Sequence, residues 1–208
     1  MIHSLSSRIA DFFVVQNVAK EEEKEEYVYG IELIISGIIS VGIVVFIGAV
    51  TGSILYALLY NIMMVVIRMY TGGYHADTHI GCNICYSVTF LISLLVLRLL
   101  IYYDVCLDSL MMALVGFVVI VYYAPLENHN KKLCQKQKDT YECISMAMYI
   151  IAIFIASVLL IISLFLRSKE VMLLRSTGSY INIMLMLIAV LLLAGRRKEG
   201  KYHAEEDT

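Results

Sequence analysis

Residues 144–166 read ISMAMYIIAIFIASVLLIISLFL, an apolar run without a charged side chain. A helix rises about 1.5 Å per residue, so crossing a hydrocarbon core of about 30 Å takes roughly 20 residues. This run is therefore long enough to span a membrane as a helix. Two more runs of similar length, residues 31–50 and 84–103, carry one charge each, at Glu32 and Arg98. A chain with three such runs is predicted to be an integral membrane protein.

Three shorter apolar runs cover residues 52–67, 109–124 and 180–194. Each fits a tilted span, a re-entrant segment or a helix buried inside a bundle. We predict an all-α, polytopic membrane bundle of about six transmembrane helices. The composition agrees, since 60% of the residues are apolar and 16% are charged, which excludes a disordered chain and disfavours a water-soluble globule. The net charge of −2 offers no basic field, so we expect no nucleic-acid partner.

Lysine and arginine are unevenly shared between the connections. With six spans and the N-terminus inside, twelve of them lie on the inner side, whereas only Arg167, Lys169 and Arg175 lie outside. Loops that stay in the cytoplasm are enriched in these residues. We therefore expect a multi-pass membrane protein with both termini in the cytoplasm. Arg98 lies inside a span and needs either a buried partner, for which Glu32 is a candidate, or a route to the membrane surface.

The chain divides into three segments by composition. Residues 1–30 form an amphipathic and linker segment, in which Ile2, Leu5, Ile9 and Phe12 recur at helical spacing. This pattern fits a helix on the inner membrane surface or a short packing helix. The run KEEEKEE at 20–26 is interpreted as a solvated linker or a helix end. Residues 31–195 form the membrane domain, with a polar loop at 68–85 and a basic loop at 125–143, and residues 196–208 form a cytoplasmic tail.

The loop at 68–85 reads RMYTGGYHADTHIGCNIC and is rich in reactive side chains. A cysteine becomes a nucleophile when a base, a positive charge or a helix N-terminus favours its thiolate. Gly81 is expected to break the chain just before the next helix, which would place Cys82 in that helix's first turn. His75 and Cys82 would be about 10.5 Å apart on a continuous helix, too far for proton transfer. As a pair they require the chain to bend, which we expect at Gly72, Gly73 and Gly81.

Other interpretations of this loop stay open. His79 is a competing base, because it lies three positions before Cys82 and even a regular helix brings the two together. His75, His79, Cys82 and Cys85 are also ligands of the zinc type, but their spacing is more compact than in most structural zinc sites. Ordinary residues of a membrane boundary are the third interpretation. Since the chain has five cysteines, most of them at the reducing cytoplasmic side, a disulfide framework is not expected.

Arg68, Gly73, His75 and Cys82 follow an apolar run in the order R-x4-G-x-H-x6-C. This motif resembles that of the accessory gene regulator B family of membrane cysteine endopeptidases, in which histidine and cysteine at this spacing form the catalytic pair. The likeness extends over most of the chain, including the amphipathic start and a cytoplasmic loop that opens with proline. It implies His75 and Cys82 as catalytic residues, with Arg68, Gly72 and Gly73 in support and no cofactor or metal.

The resemblance also implies a reaction and partners. The substrate would be a short amphipathic propeptide of quorum sensing, the autoinducing-peptide precursor, cut near its C-terminal side and closed to a thiolactone or lactone. A lipid bilayer and a second copy of the chain are the other expected partners. Family propeptides end in an acidic tail, which Lys131 and Lys132 would attract, although a loop that is basic only because it is cytoplasmic explains them equally. Asp77, Glu127 and Asn128 are candidates for a third catalytic residue, with none preferred.

A different class of function fits the hydrophobic pattern as well. A small transporter or channel would explain the spans and Arg98, and a metal-binding membrane protein would explain the histidines and cysteines. Neither alternative assigns a chemical role to all of the polar residues in the loop at 68–85.

Overall fold

The structure is a computed structural model that describes residues 2–16, 20–74, 76, 78–126, 134–166 and 170–206, of which residues 170 and 201–206 are described by their backbone alone. The described chain is helical and contains no strand. Its seven α-helices are α1 (Ile2–Val15), α2 (Lys24–Val50), α3 (Ile54–Thr71), α4 (His79–Tyr102), α5 (Ser109–Tyr123), α6 (Gln135–Phe165) and α7 (Glu170–Glu206). Short 3₁₀ turns precede α2 and α5.

Six segments of the described residues are long and apolar enough to cross a membrane, which confirms the prediction of an all-α polytopic bundle. They lie in α2 to α7, and the last of them, Val171–Gly200, differs from the others in burial. In it, 72% of the most apolar window is buried, against 22% in the spans of α2 and α6. Helix α7 is therefore the central helix, around which α3, α4, α5 and α6 pack.

The run at 180–194 is thus a helix buried inside the bundle, one of the three alternatives that its length left open. Helix α7 is also longer than that run, with 37 residues. The polar residues that follow the run continue the helix, because Arg, Lys and Glu are good helix formers. The predicted segment boundary at 195/196 consequently lies inside α7, and the one at 30/31 lies inside α2.

The N-terminal segment forms a helix that packs on α2, which confirms the predicted packing helix. Helix α1 packs on α2 through the buried Ser6 and Ala10, while Leu5, Phe12 and Val15 are exposed apolar side chains. Lys24 at the start of α2 pairs with Asp11 of α1 at 2.5 Å. The acidic run at 20–26 forms a 3₁₀ turn and the beginning of α2, so it is a helix end. An amphipathic helix fastened in this way offers one apolar face to a lipid surface.

Buried polar side chains on α3, α4 and α7 bind one another. The hydroxyl of Tyr60 lies 2.6 Å from the hydroxyl of Thr89, and the hydroxyls of Ser93 and Tyr180 are 2.9 Å apart. Tyr86 donates to Oδ1 of Asn61 at 2.9 Å. Polar groups in a bilayer must be satisfied within the protein, so these pairs fix the register of the three helices.

Arg98 and Glu32 do not pair. Arg98 lies on an exposed face of α4, whereas Glu32 binds two histidines. The suggestion that Glu32 is the buried partner of Arg98 was wrong, and the exposed side chain of Arg98 fits the alternative of a route to the membrane surface. Of the predicted basic loop at 125–143, residues 127–133 lie outside the described residues and Gln135 onward belongs to α6.

Helices α2 and α3 approach closely at Gly48, where an added Cβ would lie 2.5 Å from the Cβ of Ala57. We expect Gly48→Val to force the two helices apart and to lower the free energy of unfolding by about 1–3 kcal/mol, as overpacking does. Gly42→Val on the same helix is the matched control, since no atom lies within 4 Å of its added Cβ. Thermal unfolding of the purified protein in detergent measures both. Equal melting temperatures for the two variants would contradict this packing.

Candidate active site

The loop between α3 and α4 begins with two glycines in conformations that other residues rarely adopt. Helix α3 ends at Thr71, where the amide of Gly72 donates to the carbonyl of Arg68 at 2.9 Å. Gly72 has φ of 74° and Gly73 has φ of 148°, and a side chain at such angles is strained. The predicted bend at Gly72 and Gly73 is confirmed.

Two neighbouring segments hold the backbone of this loop. The amide of Tyr74 donates to the carbonyl of Leu191 on α7 at 2.9 Å, and the amide of Leu126 donates to the carbonyl of Thr71 at 3.0 Å. At Gly195 of α7 the two backbones nearly touch, because an added Cβ would lie 2.7 Å from the carbonyl carbon of Gly73 and 2.8 Å from the amide nitrogen of Tyr74. Helix α7 therefore supports the loop by direct backbone contact.

The side chain of Arg68 folds onto the same loop. Its guanidinium donates to the carbonyl of Tyr74, and its Nε is buried without a hydrogen-bond partner among the described residues. A Cβ at Gly73 would lie 3.2 Å from that Nε. Arg68 thus binds the loop and brings a positive charge to it.

Cys82 lies in the first turn of α4. Thr78 caps this helix, and its hydroxyl accepts the amide of Gly81 at 3.0 Å. The amide of Cys82 donates to the carbonyl of Thr78 at 3.0 Å. The thiol is half-buried and forms no disulfide. This is the predicted position, at the end of a helix where the partial positive charge favours an anion.

The start of α4 differs from the predicted one. Gly81 does not break the chain, because α4 already begins at His79 and Gly81 lies within its first turn. Thr78 ends the loop instead, since its hydroxyl replaces the missing carbonyl at the helix start. The amide of Cys82 is engaged in the helix, so it is not a free donor for an oxyanion.

The first turns of α4 are fastened to α2. His79 donates from Nε2 to Glu32 at 3.2 Å, and Oδ1 of Asn83 accepts from Ser36 at 3.1 Å and from Ser40 at 2.6 Å. The row of Glu32, Ser36 and Ser40 on α2 was not predicted as part of the site. Its signal was the spacing of Glu32, Ser36 and Ser40, which places three polar side chains on one helix face in an apolar run.

The structure brings Arg68, Gly72, Gly73 and Cys82 to the same end of the bundle. His75 lies outside the described residues, as do Asp77, Glu127 and Asn128 and the two lysines at 131 and 132. His79 stays a candidate base, with its Nε2 engaged by Glu32. Within the described part of the chain, no three His, Cys, Asp or Glu side chains are grouped as metal ligands.

The family model of accessory gene regulator B matches residues 6–193 of this chain. The chain belongs to the accessory gene regulator B family. This match covers most of α1, all of α2 to α6 and most of α7, including the whole polar loop. Membership makes the chain a membrane protein of the accessory gene regulator system of quorum sensing, in a family of cysteine-protease-like processing proteins. Comparison with curated proteins and with solved structures gives no match.

The contact at Gly195 gives a test of how the loop is held. In Gly195→Ala the new methyl group would meet the backbone of Gly73, which has no flexible side chain to move aside. We expect peptide processing to fall by about tenfold or more, since displacement of reactive groups by about 1 Å has effects of that order. The readout is the amount of cleaved peptide per amount of protein in the membrane.

Gly200→Ala is the control for this variant, because it lies on the same helix and nothing lies within 4 Å of its added Cβ. Wild-type processing by Gly195→Ala would show that α7 does not hold the loop in the working protein.

Proposed function

We propose that this protein is a membrane-embedded cysteine endopeptidase that cleaves a quorum-sensing propeptide near its C-terminal side and promotes closure of the product to a thiolactone or lactone. The observation that carries the proposal is the half-buried thiol of Cys82 in the first turn of α4, beside a loop with two left-handed glycines. Family membership supports a role in peptide processing.

His75 is the base in this proposal. A continuous helix would hold it too far from Cys82, and the chain meets the requirement for a break because α3 ends at Thr71 and α4 begins at His79. Residues 72–74, 76 and 78 between them are not helical.

The reaction proceeds in two acyl transfers. The thiolate of Cys82 attacks the scissile carbonyl after His75 has taken the thiol proton, and the C–N bond breaks as His75 returns a proton to the departing amine. The leaving fragment is the C-terminal tail, and the rest of the propeptide stays as a thioester on Cys82. A thiol or hydroxyl within the propeptide then attacks this thioester, which closes the ring and releases the cysteine.

This order of steps suits the energetics of ring closure. Exchange of one thioester for another is nearly neutral, whereas formation of a thiolactone directly from an amide is uphill. Water would hydrolyse the intermediate, so a half-buried thiol at the end of a helical bundle is an advantage. Binding of the propeptide holds its internal nucleophile near the thioester, which raises the effective concentration.

The proposal places the site at the cytoplasmic side of the bacterial membrane, with both termini inside, as the distribution of lysine and arginine indicates. Its partners are the amphipathic propeptide, the lipid bilayer and a second copy of this chain. No cofactor or metal takes part in the steps proposed.

Co-expression with the cognate propeptide tests the nucleophile and the base. Cys82→Ala is expected to abolish the cleaved peptide, because no other group forms the thioester. His75→Ala is expected to lower cleavage by about 10²–10⁴-fold, the usual effect of losing a general base. Mass spectrometry of the peptide and of the intact protein gives both the product and the acyl-enzyme. Cleavage by Cys82→Ala would overturn the proposal, and a larger loss in His79→Ala than in His75→Ala would move the base to His79.

Lys131 and Lys132 give a separate test of substrate attraction. If they attract an acidic tail, replacing both with alanine should raise KM about tenfold and leave kcat unchanged, and the effect should shrink as salt is added. The exposed pair Lys20 and Arg197, replaced in the same way, controls for the lost charge. An equal rise in KM for both double variants would mean that only the general charge of this side matters.

A further inference from the structure

The carboxylate of Glu32 on α2 joins three helices. Its Oε1 lies 2.7 Å from Nδ1 of His3 on α1, and its Oε2 lies 3.2 Å from Nε2 of His79 on α4. Its side chain is only 14% exposed. A carboxylate accepts several hydrogen bonds at once, so one acidic residue can hold both imidazoles. In an apolar run, a side chain of this kind is stabilised by such partners.

The contact of Glu32 with His79 is called the His79 arm below, and its contact with His3 the His3 arm. The His79 arm ends one helical turn before Cys82. His79 is the first residue of α4, and residues three apart are neighbours on a helix surface. On the other side of Cys82, Asn83 accepts from Ser36 and Ser40 of α2. The turn that carries the thiol is therefore attached to α2 both before and after Cys82.

The first turn of α4 has reason to need this attachment. The described residues before it, 72–74, 76 and 78, are not helical, and the ends of helices tend to fray. Asn83 lies beyond Cys82, toward the helix interior. Glu32 supplies the contact on the side where the helix begins.

We propose that Glu32 is a positioning residue for Cys82, which acts through His79 to fix the first turn of α4 and through His3 to attach the amphipathic helix α1 at the same point. The inference rests on the proposed function, because it concerns the nucleophile of that reaction. Loss of the His79 arm frees the turn that carries the thiol. Loss of the His3 arm frees α1 and leaves that turn attached.

The two arms make different predictions. Glu32→Ala is expected to lower kcat about tenfold or more, with KM for the propeptide within about twofold of the wild type, since the loss is one of geometry at the reacting atoms. Glu32→Gln should recover most of the activity, because its amide oxygen still accepts from His79. Adding His79→Ala to Glu32→Ala should bring no further loss, as expected of residues in one unit. His3→Ala should lower kcat less than Glu32→Ala does.

A measurement on the thiols separates positioning from a general loss of structure. The full-length protein in membranes is treated with iodoacetamide, and mass spectrometry follows alkylation at each cysteine. In Glu32→Ala we expect Cys82 to react about threefold faster or more, because a half-buried thiol on a frayed turn becomes more accessible. Cys106 is 2% exposed and reports unfolding, so its rate should not change. Glu25→Ala, at an exposed position of the same helix, should match the wild type in every assay.

Each outcome decides the proposal. The proposal is overturned if Glu32→Ala keeps the wild-type kcat and the wild-type rate of Cys82 alkylation. It is also overturned if the alkylation rates of Cys82 and Cys106 rise equally, because Glu32 would then stabilise the whole fold. Cleavage by Cys82→Ala would instead overturn the proposed function, while the alkylation rates would still show whether Glu32 holds the turn.

Discussion

The site depends on how the chain crosses from α3 to α4, where the described residues 72–74, 76 and 78 are not helical. Backbone groups buried near a membrane need partners within the protein. The amide of Tyr74 binds the carbonyl of Leu191, the carbonyl of Thr71 binds the amide of Leu126, and the guanidinium of Arg68 binds the carbonyl of Tyr74. These contacts require α7 to pack directly against the loop. Gly195 permits this because it has no side chain at the point of contact. The most buried helix of the bundle is thereby in direct contact with the loop before Cys82.

A second set of polar contacts holds the thiol from the opposite side. Glu32, Ser36 and Ser40 lie on one face of α2 and bind His79 and Asn83 of α4. Cys82 lies between these two residues, so the loop is held by α7 and the helix that follows it by α2. A thiol on a turn held in this manner suits the proposed acyl transfer, in which the thioester would have to meet a group of its own substrate before it meets water. The accessory gene regulator B family, to which the chain belongs, processes peptides.

Several features of the site could be predicted from local sequence. The pair Gly72 and Gly73 indicated a bend, because few other residues tolerate left-handed angles, and Cys82 was placed correctly in the first turn of a helix. The prediction failed at Gly81, where the capping hydroxyl of Thr78 decides the helix start. It also failed to connect Glu32 with His79, since 47 residues separate them and one sequence carries no signal of such a pairing. A histidine pair at His3 and His79 explains the charge of Glu32 better than Arg98 does.

The amino-acid sequence alone determined that this chain is a helical membrane protein, because a helix of about 20 apolar residues is stable in a bilayer wherever its neighbours lie. It also determined the motif from Arg68 to Cys82, since that motif depends on residue type and spacing. Only the tertiary structure decided that the run at 180–194 is the buried centre of the bundle, that Gly195 supports the loop, and that Glu32 binds two histidines. These are contacts between distant segments, and they arise from packing, in which every helix depends on the positions of the others.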